Sequence, residues 1–388
     1  MPPEKRLPGA LPPVLLIVDA LHNNGAVQIT VGLARRWADS GSRLAVLIQP
    51  PGPVQEVPGA TVDHMTSPGT RMRYGVILSV PRLIRSARRC DAVVNGSEIG
   101  LGLLLGFVAA RLTGRPFVIG VHADLDDALA EWVPSRMHRL FRWVHRHADS
   151  AICVSNGVVP PILRNGLPPD RVRVVRNGID TAAVQQAARQ PGHLADTELP
   201  TVIATGRLAE QKGYDLLLRA HAEVVSQHPH RLALVNDGPE AGNLEALATE
   251  LGVQGSVIFA GVVDGPLPDV ARAALFCLPS RHEGLPLALL EAVSLGVPII
   301  ATDCSPGVRE ALDDGRVGEL VPVEDVDALA AALARHLADP SELRRRATFG
   351  PEHARSFDIG VMADGWAAEI YDVIERSRRH GRRRTTIS

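Results

Sequence analysis

The chain has 388 residues, more than one ordinary hydrophobic core accommodates, so two or three domains are expected. Hydrophobic residues make up 45% and charged residues 22%, and the formal net charge is −2. These values are typical of a soluble globular protein and argue against charge-driven nucleic-acid binding. Four widely spaced cysteines argue against a disulfide scaffold or a structural zinc site. The N-terminal stretch lacks a signal-peptide apolar run, and Ile99–Leu112 is too short to cross a bilayer, so a cytoplasmic location is expected.

In the first half, apolar runs alternate with helix-like segments such as Val27–Ser40 and Met137–His147. Continuous apolar strands separated by helices favour a parallel sheet that is covered on both faces. The predicted strands are Val14–Asp19, Arg43–Gln49, Asp91–Asn95, Pro116–Val121, Ser150–Val154 and Arg171–Val175.

The pattern stops over Thr181–Pro200, which is rich in Ala and Gln, and then restarts. The predicted strands after the break are Thr201–Thr205, Arg231–Val235, Ser256–Ala260, Leu275–Pro279 and Val297–Thr302. The fold class is therefore α/β, with two Rossmann-like doubly wound domains facing a cleft and ligands at the carboxyl ends of the strands. The boundaries are residues 1–183, a linker 184–199, residues 200–355, a C-terminal helix 356–376 that packs back on the first domain, and a basic tail 377–388.

Two positively charged residues follow the first strand of the second domain. Gly206 and Arg207 come directly after the strand, and Lys212 follows five residues later. Lys212 is notable because the chain has arginine at almost every other basic position and only one further lysine, Lys5. A glycine turn exposes backbone N–H groups, and cations neutralise charge, so the pattern suits a diphosphate. Taken alone, the pattern is weak and is more typical of two solvated surface cations. Gly238, after the next strand, permits close backbone approach to a ligand or marks an ordinary turn.

A third motif follows the apolar strand Leu275–Pro279. Glu283 lies in a loop, Pro286 is a favourable first-turn residue for a helix, and Glu291 is eight positions after Glu283. The N–H groups of Gly284 and Leu285 would then lie at a helix start, where phosphate binds. Glutamate also suits the vicinal hydroxyls of a ribose or sugar ring.

Taken together, residues 201–330 resemble the donor-binding domain of the retaining GT-B glycosyltransferases of family 4. The run SRHEGLPLALLEAVSLGVPIIATDCSPGVREALDDGRVGELV is similar to the family signature, with Leu285 and Pro286 where Phe and Gly are frequent. The first half is similar more loosely, through its layout, His122 after a strand, Ser155, and the run Arg176–Asp180.

The resemblance implies a role for each matching residue. Arg207 and Lys212 hold the diphosphate, Glu291 the ribose hydroxyls, and Glu283 faces the donor sugar or reacting centre. The amides of Gly284 and Leu285 contact sugar or phosphate, Gly238 and Val263 lie near the nucleotide, and His122 touches donor sugar or acceptor. The implied reaction transfers a hexose or N-acetylhexosamine from a nucleotide-diphosphate sugar, with UDP favoured and with retention. No cofactor and no metal are expected.

The acceptor is less well defined by the sequence. The family's Gly-Gly-Ala-Glu stretch is replaced by Asn23-Asn24-Gly25-Ala26-Val27-Gln28, so Gly25 keeps a backbone role and the acidic residue is lost. Asp124 and Asp126 begin an acidic stretch after His122 that would attract a cationic acceptor such as an aminosugar or aminocyclitol, or would simply start a helix. A small natural product or a glycan is expected as the acceptor.

Two further readings stay open. Arginines interleave with apolar residues around Val76–Ile84 and over Arg136–Arg146, a pattern typical of core-packed helices or of weak contact with an anionic membrane. The second case would place a peripheral enzyme at the inner face of a membrane with a lipid-linked acceptor. From a different functional class, a non-catalytic or epimerase-like nucleotide-sugar-binding protein shares the architecture. The oligomeric state is not predicted.

Overall fold

The computed structural model describes residues 11–21, 25–49, 56–69, 72–194 and 198–385. The chain divides into two compact units. The first contains residues up to Asn177 together with those from Gly360, and the second is Gly178–Ile359. Each unit contains one parallel sheet covered by helices.

The sheet of the first unit has seven strands among the described residues, in the spatial order β3-β2-β1-β4-β5-β6-β7. They are β1 (Val14–Val18), β2 (Arg43–Val46), β3 (Val62–His64), β4 (Ala92–Asn95), β5 (Phe117–Val121), β6 (Ser150–Cys153) and β7 (Val172–Val174). All five residues of β1 and all five of β5 are buried, which explains why they read as continuous apolar runs. The connecting helices are α1 (Gly25–Arg36), α2 (Met72–Arg88), α3 (Leu101–Thr113), α4 (Leu125–Trp132), α5 (Ser135–Arg146) and α6 (Val159–Arg164).

The sheet of the second unit has six strands among the described residues, in the order β10-β9-β8-β11-β12-β13. They are β8 (Thr201–Thr205), β9 (Arg231–Val235), β10 (Val257–Gly261), β11 (Leu275–Leu278), β12 (Ile299–Thr302) and β13 (Glu319–Val321). The strand order reverses between β8 and β11, and in such sheets ligands bind at the carboxyl ends beside that switch point.

Helices connect the strands of the second sheet. They are α7 (Thr181–Ala187), α8 (Tyr214–Val224), α9 (Ala241–Glu250), α10 (Leu267–Arg272), α11 (Leu287–Leu295), α12 (Pro306–Ala311), α13 (Val326–Ala338), α14 (Ser341–Ala347) and α15 (Gly350–Ala354). The chain ends in α16 (Ile359–Thr385). Helix α16 packs in the first unit, where the buried Glu369 accepts a hydrogen bond from Ser150 at 2.8 Å and pairs with Arg173 at 3.0 Å.

Some boundaries differ from the sequence prediction. The first unit ends at Asn177 rather than at residue 183, because Ile179 forms a parallel bridge with Asp358 inside the second unit. The segment predicted as linker 184–199 includes the end of α7, which packs against α11. Helix α16 continues through the predicted tail as far as Thr385.

Two strands were missed by the sequence prediction, β3 and β13. Both are three-residue strands at the edges of their sheets, and β3 is Val-Asp-His with no fully buried residue. Such short, half-polar segments carry no continuous apolar run, which was the signal used for the other strands.

Candidate nucleotide-sugar site

The carboxyl ends of β8 and β11 carry the predicted donor-site residues. After β8 the chain turns at Gly206, passes Arg207, and forms a short 3-10 turn that ends in Lys212. After β11 the loop leads through Glu283 to α11. Because these two strands are neighbours at the switch point, the two loops lie at the same edge of the sheet.

Lys212 and Glu283 form an ion pair in which Nζ lies 2.6 Å from Oε1. The hydroxyl of Ser280 donates a hydrogen bond to the same oxygen at 2.7 Å. The Glu283 side chain is 7% exposed and that of Lys212 is 21% exposed, so water screens this pair weakly. An ammonium has three N–H donors, so Lys212 retains two for a ligand.

Backbone and side-chain contacts fasten the two loops together on either side of that pair. Gln211 donates through Nε2 to the carbonyl of His282 at 2.9 Å, and its own carbonyl accepts the N–H of Arg281 at 2.8 Å. The guanidinium of Arg281 binds both carboxylate oxygens of Asp215 at 2.8 Å. The sequence prediction missed Gln211, Ser280 and Arg281; their positions directly beside Lys212 and Glu283 are the only sequence signal for them.

Gly213 is needed where this turn enters α8. It adopts a left-handed conformation with φ of 62°, and a Cβ there would lie 2.1 Å from the carbonyl oxygen of Pro279. The absence of a side chain therefore lets the turn that carries Lys212 pack directly on the end of β11.

The start of α11 is a second component of the site. The helix begins at Leu287 after Pro286, and no side chain caps its first turn. Gly284 and Leu285, just before it, are buried. A Cβ on Gly307 would lie only 1.7 Å from the Gly284 carbonyl oxygen, so α12 packs backbone against backbone on this loop. The uncapped N-terminus supplies backbone N–H groups and a partial positive charge.

Glu291 lies on α11 and is partly buried. Within the part of the chain that the structure describes, its carboxyl group makes no hydrogen bond and no ion pair. Burial raises the pKa of Glu291 to about 7. An acidic group held in this way can accept hydrogen bonds from hydroxyl groups of a ligand.

The other predicted donor residues lie on neighbouring strand ends. Arg207 is exposed after β8. Gly238, after β9, packs on the backbone of Leu208, since a Cβ there would lie 2.2 Å from the Leu208 carbonyl oxygen. Val263 is partly exposed two residues beyond β10, the edge strand. The loops after β8 and β9 are therefore in contact through Leu208 and Gly238, whereas Val263 lies beyond β10, at the far end of the same edge.

In the first unit, His122 follows β5, and its backbone N–H donates to Oε2 of the buried Glu98 at 2.9 Å. Burial lowers the pKa of His122 to about 4, and the nearby Gly96 carbonyl opposes this only in part, so the ring is neutral at pH 7. Neither ring nitrogen forms a hydrogen bond of standard geometry with the described residues. Glu98 was not identified from the sequence, since it follows no recognisable pattern.

The predicted acceptor-side residues lie at the starts of helices. Gly25 is the first residue of α1. Asp124 caps α4 and accepts the N–H of Asp126 at 2.8 Å, as the helix-start interpretation of the acidic stretch expects. Asp126 pairs with Arg142 at 2.7 Å and with Arg164 at 3.0 Å. Their roles toward an acceptor stay predictions.

Among the described residues, no group of three His, Cys, Asp or Glu side chains is arranged to hold a metal ion. Metal independence nevertheless stays a prediction. A search of the same residues finds no helix with both the length and the apolar character needed to cross a bilayer.

Two protein-family models match the chain. Residues 23–183 match "Glycosyltransferase Family 4" and residues 199–339 match "Glycosyl transferases group 1". Glycogen synthase of Mycobacterium tuberculosis is 30% identical over 289 residues, which cover 72% of this chain and 68% of that protein. The chain belongs to glycosyltransferase family 4.

The lipopolysaccharide core biosynthesis glycosyltransferase LpsE of Rhizobium meliloti is similar to this family 4 chain at 34% identity over 209 residues. That alignment covers 53% of the chain and 59% of LpsE, less than two thirds of the relative. The crystal structure of Anabaena HepE in complex with UDP and glucose superposes with a TM-score of 0.78 at 19% identity, covering 92% of this chain and 99% of HepE. At that identity the likeness concerns the fold, which is GT-B.

Proposed function

We propose that this chain is a retaining glycosyltransferase that transfers a hexose or N-acetylhexosamine from a nucleotide-diphosphate sugar to an acceptor hydroxyl. The observation that carries the proposal is the arrangement at the carboxyl edge of the second sheet. There the Lys212–Glu283 pair joins two adjoining loops, and α11, which follows the second loop, supplies an uncapped start and the carboxyl of Glu291, which has no partner among the described residues. Family membership supports the same reaction class.

The donor would be held by charge and backbone. Lys212 and Arg207 would neutralise the diphosphate, the α11 N-terminus would donate N–H groups to it, and Glu291 would accept the ribose hydroxyls. UDP is the favoured nucleotide, and the crystal structure of HepE in complex with UDP and glucose is consistent with it.

In the proposed reaction, the acceptor oxygen bonds to the anomeric carbon while the bond from that carbon to the diphosphate oxygen breaks. The electron pair leaves with the phosphate, and the acceptor proton passes to that phosphate on the same face of the sugar. Lys212 stabilises the negative charge that develops, which is where preorganised cations contribute most. Glu283 orients Lys212, and His122, being neutral, would accept or donate one hydrogen bond to a sugar or acceptor hydroxyl.

A panel of UDP-, GDP-, ADP- and TDP-sugars tests the donor half. Specific binding to the folded state raises the thermal midpoint with ligand concentration. The nucleotide sugar with the largest effect is then incubated with candidate acceptors, and the anomeric configuration of the product is read by NMR. If no donor stabilises the protein, the proposed function is wrong. If the product has the inverted anomeric configuration, the proposed retaining mechanism is wrong. Epimerised donor without transfer would favour the epimerase-like alternative.

For the acceptor, a small polar or glycan hydroxyl compound is proposed first, including a cationic aminosugar or aminocyclitol. A lipid-linked acceptor at the inner face of a membrane is the second candidate. LpsE, whose name places it in lipopolysaccharide core biosynthesis, favours the second candidate, as do apolar side chains exposed on α3 and α5. The two candidates are distinguished by comparing the rate of transfer to a water-soluble acceptor with the rate of transfer to the same acceptor group on a lipid, at matched concentrations.

A further inference from the structure

Helices α3 and α5 of the first unit expose large apolar side chains to solvent. The exposed fractions are 44% for Val108, 64% for Leu112, 46% for Leu140 and 48% for Trp143. These four side chains define the α3–α5 face. The pairs are spaced four residues apart on α3 and three apart on α5, so each pair lies on one side of its helix.

An aromatic contact joins the two helices of this face. The ring of Trp143 packs edge-on against that of Phe107, with centroids 5.4 Å apart, and so joins α5 to α3. Arg111 covers the Phe107 ring from 4.8 Å, and the ring of His147 lies 4.5 Å from that of Trp143. The exposed apolar side chains of the two helices, which this contact brings together, form an apolar strip.

The border of the strip on α5 is basic. Arg136 and Arg139 are exposed, and within the described residues neither makes a hydrogen bond or an ion pair. Arg146 is exposed one turn beyond Trp143 and, among the residues that the structure describes, donates only to the carbonyl of Asn165, at 3.1 Å. Helix α5 contains no acidic residue. Arg142, which lies away from the strip, is the arginine of α5 that pairs with Asp126.

Two readings of the α5 pattern were open from the sequence, a core-packed helix with an arginine outer face and a membrane contact. A core-packed helix would bury its apolar side chains, and α5 does bury Phe141 and Val144. Leu140 and Trp143, however, lie on the outer side among the arginines. Tryptophan and arginine suit the headgroup region, because each combines an apolar body with a polar tip.

We propose that the α3–α5 face binds the surface of a bilayer that contains anionic lipids. Leu140 and Trp143 enter the headgroup boundary, and Arg136, Arg139 and Arg146 bind lipid phosphates. Helix α5, with 12 residues, is about 18 Å long and lies flat on the surface. The inference deepens the second acceptor candidate of the proposed function, since it would bring the enzyme to a lipid-linked acceptor; the binding itself needs no transferase activity.

Co-sedimentation tests the proposal, with phosphatidylcholine vesicles and with vesicles that also contain phosphatidylglycerol. We expect binding to the anionic vesicles that weakens as salt is added. The double variant Arg136→Gln/Arg139→Gln should bind about 30-fold more weakly. The matched control is Arg35→Gln/Arg36→Gln on α1, where two exposed arginines also lack partners among the described residues. That control should bind like the parent chain.

The apolar part is tested by Leu140→Gln and Trp143→Gln, made separately so that a folding defect in one leaves the other informative. Each should reduce vesicle binding without changing thermal stabilisation by the donor. Absent binding, equal binding to neutral vesicles, or full binding by the Arg136→Gln/Arg139→Gln variant would overturn the proposal. A change from dimer to monomer in either apolar variant, with no vesicle binding, would instead assign the face to a second copy. Donor stabilisation, measured on the same samples, reports the proposed function independently.

Discussion

The ammonium of Lys212 and the carboxylate of Glu283 lie 2.6 Å apart although 71 residues separate them in the chain. Each comes from the loop after a different strand, and Ser280 donates a second hydrogen bond to the same carboxylate oxygen. Glu283 thus fixes the position of the Lys212 ammonium, and Ser280 in turn fixes the position of the Glu283 carboxylate. Preorganisation of this kind fixes a charge where a leaving phosphate would need it.

Removing the ammonium should reduce catalysis much more than folding. We expect Lys212→Ala to lower turnover by about 10²-fold, comparable to the loss of one oxyanion donor. Steady-state kinetics with the best donor measures this. Arg219→Ala, at an exposed position on α8, is a matched control that should retain full turnover. Near-normal turnover in a folded Lys212→Ala protein would remove Lys212 from the mechanism.

The same pair predicts a separation of stability from activity. Lys212→Ala leaves the poorly exposed Glu283 charge without its cation, at a cost of about 1–3 kcal/mol in unfolding free energy. Lys212→Ala/Glu283→Gln should recover part of that stability, because the uncompensated charge is gone, yet stay inactive. Denaturant unfolding and turnover on the same samples check this. If the double variant is as active as the parent chain, the charge of Lys212 is not used.

Glu291 should stabilise the donor complex but lower the free energy of unfolding of the protein without donor. Its pKa is raised to about 7, above its unfolded value, so the folded state binds the extra proton and loses stability as pH rises from about 4.5 to 7. Glu291→Gln removes the buried charge, so its free energy of unfolding at pH 8 should be about 2 kcal/mol higher than that of the parent chain. Its donor affinity should fall. Thermal unfolding with and without donor at pH 5 and pH 8 measures both; a variant that is less stable at pH 8 would contradict the prediction.

The contact between Gly307 and the Gly284 carbonyl should be sensitive to one methyl group. Gly307→Ala places a Cβ 1.7 Å from that oxygen, so α12 or the loop before α11 must move, at a cost of about 1–3 kcal/mol in unfolding free energy. Donor binding should weaken with it. Gly242→Ala on α9 is the control, because nothing lies within 4 Å of its Cβ, and it should be stabilising by about 0.5–1 kcal/mol. A Gly307→Ala protein with parental stability would contradict this packing.

Acid should destabilise the fold through buried histidines. Burial lowers the pKa of His122, His145 and His221 to about 4 in the folded state, so the unfolded chain binds their protons first. Stability should fall as pH drops from about 6.5 to 4, by at most about 1.4 kcal/mol per pH unit for each histidine. Burial also lowers the pKa of His230 and His336, which adds to this effect, whereas it raises the pKa of Glu98 and Glu291, which act in the opposite direction.

The pH slope can be assigned to one residue. His221 hydrogen bonds to His230 at 2.8 Å and to Ser256 at 2.8 Å inside the second unit. His221→Gln cannot titrate and should reduce the slope by about one proton. Denaturant unfolding at several pH values gives the dependence of the unfolding free energy on pH. Equal slopes in the parent chain and in His221→Gln would show that His221 does not contribute to the loss of stability in acid.

The fully buried strands were predictable, because a strand covered on both faces must be apolar at every position, as β1, β5 and β8 nearly are. The edge strands β3 and β13 were not, since their identity depends on neighbours that complete their ladders rather than on their own residues. The boundary at Asn177 follows from a bridge between Ile179 and Asp358, a contact across 179 residues that no local pattern records.

By itself, the sequence determined the residue types and spacings of the donor motif, Arg207, Lys212, Glu283 and Glu291, because strand–turn–helix units follow local rules of periodicity and turn chemistry. The tertiary structure alone decided that Lys212 meets Glu283 and that the Glu291 carboxyl has no partner among the described residues. It also decided that Asp124 and Asp126 have contacts of their own. It also decided that Leu140 and Trp143 face solvent. The physical reason is that pairing, burial and desolvation of a side chain depend on which loops are neighbours in the folded sheet. The order of strands in the sheet cannot be read from local sequence patterns.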